Sequence, residues 1–221
     1  MSLSNDTVLT RLRNQFVCGY RNITGEPYAG RSGRHETDSP AVITTNGAGP
    51  RNVQMFMLSE DGTVLHCLPG FWSSQDLLAE MTFALNLNRV WLDANLTREV
   101  KDLRFEQAHI MHLQQHPQAM IARSHLQDFD ARHEKSIEDS DFIIREGDMR
   151  RNFRLMRNDS LKTTDQVMHE RMSKRPFLQY EDFDVQNYAS YGKSRYDKNE
   201  ERRAPTTSTP PSIPRQTAVS R

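Results

Sequence analysis

Two short runs of mainly apolar residues, separated by a polar turn, give the clearest pattern in the chain. They cover residues 53–58 and 63–68, and their length and composition are typical of β-strands. Residues 60–62 (Glu-Asp-Gly) supply the glycine that a tight turn needs for a positive φ. A Pro-Gly pair at 69–70 ends the second run. The pattern therefore predicts a β-hairpin.

The start of a helix follows directly after this hairpin. Ser73 has the side chain of an N-cap residue, and Asp76 lies three residues further on, where an acidic side chain favours the first turn. Trp72 and Leu77 have the spacing of a hydrophobic staple across that cap. A hairpin followed by a capped helix predicts a mixed α/β domain.

Shorter apolar segments predict further elements around this unit. Residues 8–12 have the pattern of the end of a short helix, residues 16–20 that of a strand, and 41–43 that of a short strand or turn. One helix is predicted over 97–117 and another over 120–129. One side of the first of these helices carries apolar residues that we expect to face the core, namely Val100, Leu103, Ile110 and Leu113.

The second half of the chain is more charged, and isolated apolar residues replace the regular patterns. Residues 162–174 mix both signs of charge, which predicts a solvent-facing segment. From Gly192 onwards, charged residues and a Pro- and Thr-rich stretch provide too little apolar area to order the chain. We therefore predict three parts, which are a compact domain over 1–95, a mainly helical, charged extension over 96–191 and a disordered tail over 192–221.

The composition limits the classes of function. Lysine plus arginine and aspartate plus glutamate each number 29, so no net charge attracts the chain to nucleic acid or to an anionic membrane. No apolar run approaches the roughly 20 residues of a membrane span, and the first residues lack the features of a signal peptide. We therefore expect a soluble, cytoplasmic protein without a nucleic-acid or membrane partner. No motif indicates a cofactor.

The order of elements over residues 52–87 resembles the C-terminal half of the thioredoxin fold. This resemblance covers less than half of the chain. In the thioredoxin family, a central strand leads into a Cys-x-x-Cys motif at a helix N-terminus, and that motif does not occur here. If residues 7–12 end the family's active-site helix and 16–20 form the next strand, the central strand and its motif would lie before Met1.

Two explanations are open for the missing centre of that sheet. Either the start of the chain as written is too late, or dimerisation or a later segment fills the gap. We favour the late start, because a sheet without its central strand would expose two unpaired edges. The resemblance implies a thioredoxin-like α/β sheet with flanking helices, with or without its central strand.

Cys18 and Cys67 are the only cysteines and the only candidates for redox chemistry. They would form a reversible disulfide if their two strands placed them together. A free cysteine within a strand is more often a small buried hydrophobe, and neither residue begins a helix that would stabilise a thiolate. Because a disulfide is also disfavoured in the cytosol, we expect two structural thiols.

Three histidines share one face of the helix predicted over 97–117. They are His109, His112 and His116, and the last two have the i, i+4 spacing with which two imidazoles chelate one metal ion. His116 precedes a proline, which biases it away from helical geometry, and the sequence identifies no clear third or fourth ligand. A solvated polar face is therefore expected, with a metal site as the alternative. Further candidate ligands lie downstream, namely His125, Asp130 and His133.

These patterns lead to three hypotheses for function. The first is a non-catalytic, thioredoxin-like binding or adaptor module with an unknown protein partner, which can also form a homodimer. The second is a thiol–disulfide oxidoreductase whose Cys-x-x-Cys segment precedes Met1. The third is a metal-binding module built on the three helical histidines.

Overall fold

A computed structural model of the chain describes residues 2–32, 44–145 and 161–196. Within these residues the fold is mixed α/β, with seven α-helices and two small sheets. The helices are α1 (Asp6–Gln15), α2 (Ser74–Leu92), α3 (Arg98–Gln115), α4 (Gln118–Arg123), α5 (Asp128–Lys135), α6 (Thr164–Ser173) and α7 (Val185–Tyr188). The strands are β1 (Arg31–Ser32), β2 (Gln54–Leu58), β3 (Val64–Pro69) and β4 (Arg195–Tyr196).

The predicted hairpin is confirmed. Strands β2 and β3 pair antiparallel, with Met57 opposite His66, and Gly62 in the turn has φ +85°. Every residue of β3 is buried, whereas β2 is only partly covered. Strand β3 therefore lies in the core and carries His66 into the interior of the protein. The second sheet is the short parallel pair β1–β4.

The predicted helix start is also confirmed. The Ser73 side chain accepts a hydrogen bond from the Asp76 backbone N–H at the N-terminus of α2, which satisfies one of the free donors there. Trp72 and Leu77 are both almost fully buried. The inner face of α2 continues through Met81 and Ala84, and the acidic residue Glu80 lies on this face as well.

Helix α3 is present, but the prediction of its buried face is wrong at three of its four residues, and only Leu113 is buried as predicted. Val100, Leu103 and Ile110 are all more than a third exposed. The residues that the helix buries are Phe105, His109 and Leu113, so the true inner face is turned by roughly a third of a turn from the predicted one. Glu80 is the physical reason. A buried carboxylate needs hydrogen-bonding partners, and the histidine face of α3 supplies them.

The solvent-facing segment predicted over 162–174 is likewise wrong, because α6 packs against α3 and is nearly all buried. Two of its polar side chains find clear partners inside the protein. The Gln166 side chain accepts a hydrogen bond from the Thr163 backbone N–H, and Arg171 donates to the backbone oxygen of Tyr188. The buried residues of α6 are Thr164, Asp165, Gln166, Val167, Met168, His169, Arg171 and Met172.

The strand predicted over 16–20 is not formed, since no described residue pairs with this segment as a strand. Val17 and Tyr20 are fully exposed and therefore have no packing surface, whereas Phe16 packs against the core. Residues 120–129, predicted as one helix, contribute instead to the two short helices α4 and α5. The short strand or turn predicted over 41–43 lies outside the described residues.

One hydrophobic core joins the parts into which the sequence analysis divided the chain. It extends from Val8 through Trp72 and Phe105 to Tyr191. Gly192 begins the predicted disordered tail, yet its backbone N–H donates to the buried carboxylate of Glu134. The described chain continues from there into β4, and residues 197–221 lie outside the described residues.

Among the described residues, none of the helices combines the length and the apolar character that crossing a membrane requires.

Candidate metal centre

Three helices place four potential metal ligands together inside the protein. Helix α2 contributes Glu80, α3 and its C-cap contribute His112 and His116, and α6 contributes His169. One donor atom from each of these residues can be chosen so that all four atoms lie within 4.8 Å of one another. We call these four residues the ligand cluster.

The Glu80 carboxylate is the centre of the ligand cluster. Its Oε1 lies 3.1 Å from Nε2 of His112 and 3.5 Å from Nε2 of His116, while its Oε2 lies 3.3 Å from Nε2 of His169. The side chains of Glu80 and His169 are fully buried, whereas that of His112 is 19% exposed. The cluster is therefore largely shielded from solvent, and His112 is its most exposed member.

A fourth imidazole, from strand β3, contacts the carboxylate through Oε2, the oxygen that also faces His169. The Nε2 of His66 lies 2.9 Å from Oε2 of Glu80, and both side chains are fully buried. As the His66 ring donates this hydrogen bond, it fixes the rotation of the carboxylate. Oε1 of Glu80 is then directed towards the two ligands from α3.

Two further side chains contact the outer nitrogens of the ligand histidines. The carboxylate of Asp165 lies 2.8 Å from Nδ1 of His116. On the other side, Nδ1 of His109 lies 2.8 Å from Nδ1 of His169. Such outer contacts fix the tautomer of a ligand imidazole and leave its Nε2 available for a metal ion.

Electrostatics favour an ionised Glu80 carboxylate beside a neutral His169 imidazole. Burial alone would raise the pKa of Glu80, but the attraction and hydrogen bonds of the surrounding imidazoles, led by His169, hold that pKa well below its usual range. Burial alone would lower the pKa of His116, but its hydrogen bond to Asp165 and the charge of Glu80 raise that pKa. Burial lowers the pKa of His169 to about 3. At neutral pH the cluster therefore presents a negative oxygen ligand together with an unprotonated imidazole, which is the form that binds metal.

Aromatic side chains enclose the cluster. The ring of Phe83 stacks on that of His112 with a centroid separation of 4.3 Å. Phe105, which is fully buried, packs against His109 at 4.6 Å. These rings exclude water from the outer sides of the imidazoles, which strengthens the electrostatic interactions inside.

The spacing of the cluster suits a first-row transition metal. Zinc binds imidazole nitrogen and carboxylate oxygen at about 2.0–2.2 Å, so two ligands of a tetrahedral ion lie about 3.4 Å apart. The distances from the Glu80 oxygens to Nε2 of His112, His116 and His169 are 3.1, 3.5 and 3.3 Å. The four donor atoms lie within 4.8 Å of one another, so an ion would draw the imidazoles closer together as it forms a tetrahedral shell.

The structure brings the three candidate histidines together but gives them different places. His112 and His116 belong to the ligand cluster, and His109 contacts it from outside. His116 is the C-cap of α3 with extended backbone angles, as the following proline predicts, yet its side chain still reaches Glu80. The downstream candidates His125, Asp130 and His133 are outside the cluster.

Sequence reasoning missed Glu80 and His169 as candidate ligands and His66 as their neighbour. Glu80 carried a usable signal, because it interrupts the apolar stripe formed by Leu77, Met81 and Ala84 on α2. A charged residue within such a stripe indicates a buried partner. His169 carried no comparable signal, since its helix has polar residues on every side.

The two cysteines are free thiols in different environments. Cys18 is exposed, and Cys67 is fully buried in β3. Burial raises the pKa of the Cys67 thiol well above its ordinary value, which disfavours the nucleophilic thiolate. The surroundings of Cys67 are those of a structural thiol.

No protein-family model, curated protein or solved structure matches this chain. The chemistry of the ligand cluster therefore has to be inferred from its own residues.

Proposed function

We propose that this chain is a metal-binding protein in which Glu80, His112, His116 and His169 hold one divalent transition-metal ion. The observation that supports this most directly is the convergence of three imidazole nitrogens and one carboxylate oxygen within 4.8 Å. Solvated histidines on a helix surface would not converge on one buried carboxylate. Metal coordination accounts for their number, burial and orientation together.

The buried charges match an ion of charge +2. The cluster and its outer contacts contain two carboxylates, those of Glu80 and Asp165, and both side chains are at most 1% exposed. When ionised they contribute a formal charge of −2, which a divalent cation neutralises. Burying an ion is costly unless its charge is compensated in this way.

The donor atoms select the class of metal. Ca²⁺ and Mg²⁺ prefer shells made entirely of oxygen, whereas imidazole suits zinc, iron, copper and nickel. The cluster offers three nitrogens and one oxygen, which favours the zinc class of ions. Because four protein donors fill a tetrahedral shell, we assign the ion a structural role, in which it fastens α2, α3 and α6 to one another.

Elemental analysis of untagged, natively purified protein tests this proposal. We expect about one zinc-class ion per chain, and we expect the variant His169→Ala to retain less of it after dialysis, because one of the four donors is removed. The matched control is His133→Ala, since His133 lies outside the cluster. Wild-type protein without stoichiometric metal, also after incubation with Zn²⁺ or Co²⁺, would refute the proposal.

The second candidate function is the binding or adaptor module that the thioredoxin resemblance implies. The observation in its favour is a groove of about 890 Å³ along the partly covered strand β2, lined by apolar side chains that include Phe16, Val17 and Met55. An extended segment of a partner protein could add to such a strand through backbone hydrogen bonds.

Selection from a displayed peptide library tests the adaptor proposal. We expect peptides whose affinity falls about tenfold with Leu58→Lys on β2, a loss of about 1.4 kcal/mol. The control is Leu103→Lys, because Leu103 is similarly exposed but lies on α3. The adaptor proposal fails if no peptide is selected, or if Leu58→Lys and Leu103→Lys bind the selected peptides equally well. The metal proposal is unaffected by either result.

A further inference from the structure

We propose that His109 is the positioning residue of the metal centre, which accepts a hydrogen bond from Nδ1–H of His169 and so directs the Nε2 lone pair of His169 at the metal ion. This inference rests on the proposed metal-binding function. It assigns a role to a histidine that lies beside the ligand cluster without belonging to it.

The geometry admits only one arrangement of protons when a metal is bound. Nδ1 of His109 and Nδ1 of His169 are 2.8 Å apart, so one nitrogen donates and the other accepts. A neutral imidazole that binds metal through Nε2 carries its proton on Nδ1. His169 is therefore the donor, and His109 accepts through Nδ1 and carries its own proton on Nε2.

The position of that second proton explains an otherwise costly feature of the core. Nε2 of His109 is buried and has no hydrogen-bond partner among the described residues. Its ring packs against Phe105 and Phe83, with centroid separations of 4.6 and 4.8 Å. Aromatic faces accept an N–H weakly. An apolar residue would pack here without leaving a buried polar atom, so the imidazole has to be accounted for by its contact with His169.

The neutral imidazole also preserves the charge balance of the centre. Asp165 fills the corresponding outer position for His116 and brings one negative charge. A carboxylate in place of His109 would be the third beside those of Glu80 and Asp165. It would raise the formal buried charge to −3, which a divalent ion does not neutralise. His109 orients His169 without adding charge, and both residues are buried.

Two substitutions separate the hydrogen bond from the packing. His109→Phe keeps a ring of similar size but removes the acceptor, whereas His109→Asn places an amide oxygen close to the position of Nδ1. We expect Zn²⁺ affinity, measured by competition with a chromophoric chelator, to fall about 10- to 100-fold in His109→Phe and to stay within about threefold of wild type in His109→Asn. Equal affinities for wild type and His109→Phe would overturn the inference.

A measurement on the unaltered protein keeps the test independent of how the variants fold. Long-range ¹H–¹⁵N spectra of the Zn²⁺-loaded wild-type protein report which ring nitrogen of each histidine carries a proton. We expect a protonated Nδ1 on His169 and a protonated Nε2 on His109, and an unprotonated Nδ1 on His169 would contradict the inference. If the wild-type protein binds no Zn²⁺, the proposed function itself fails. If it binds but His169 shows the other tautomer, only the role of His109 fails.

Discussion

Glu80→Gln is expected to abolish the stabilisation of this protein by metal. An ion at a free concentration of about a thousand times its Kd raises the free energy of unfolding by about 4 kcal/mol. Glutamine keeps the shape of the side chain but loses the negative charge shared by the two oxygens, of which Oε1 faces His112 and His116 and Oε2 faces His169. We expect the increase to fall below about 1 kcal/mol in the variant, as measured by urea unfolding with and without Zn²⁺.

Glu134→Gln is the matched control for this experiment. Glu134 is also a buried carboxylate. It accepts hydrogen bonds from the Ser140 hydroxyl and from the Gly192 backbone N–H, and neither of these partners belongs to the ligand cluster. Its substitution is expected to lower the stability of the metal-free protein while leaving the increase caused by Zn²⁺ intact. If Glu80→Gln keeps the full increase, Glu80 is not a ligand.

The parts of the fold that the sequence predicted well are those that local chemistry determines. Gly62 supplies the positive φ of the hairpin turn, and Ser73 caps α2 with its own side chain. Both signals depend on residues within a few positions of one another. No distant partner is needed for either, so the hairpin and the start of α2 follow from the sequence alone.

The orientation of α3 shows why the remainder was harder to predict. Hydrophobic periodicity placed Val100, Leu103 and Ile110 in the core, but those residues are partly exposed. The polar face is buried because it meets Glu80 of α2. His112 and Glu80, which contact each other there, are 32 residues apart in sequence. Such a partner is invisible to any local window.

The candidate site shows the same division between local and distant information. The i, i+4 spacing of His112 and His116 was visible and pointed to a chelating pair. The other two candidate ligands come from α2 and α6, and only the packing of these helices against α3 brings them to the pair. A polar residue within an apolar stripe, as at Glu80, is the one sequence feature that would have indicated a third ligand.

Asp76→Asn is expected to destabilise the protein by about 3 kcal/mol at neutral pH. The Asp76 carboxylate is buried and accepts hydrogen bonds from Arg123 at 2.7 and 2.8 Å and from Asn46 at 2.8 Å. Removing one member of a buried charge pair costs about 3–5 kcal/mol. The lower end applies, because the Arg123 side chain is one-third exposed and solvent screens its charge.

The pH dependence gives this prediction its sharpest test. Burial opposes ionisation of Asp76, but the hydrogen bonds from Arg123 and Asn46 outweigh burial and lower its pKa. A lowered pKa contributes stability above the unfolded value of about 3.9, and that stability is lost as the pH falls through the folded value. Urea unfolding in the presence of a chelator should therefore show the stability deficit of Asp76→Asn at pH 7 and the decline of that deficit below about pH 4.

The exposed residue Asp139 provides the control, since Asp139→Asn should change stability by less than about 0.5 kcal/mol. A deficit of equal size at pH 7 and pH 3 would show that Asp76 acts through its shape and not through its charge.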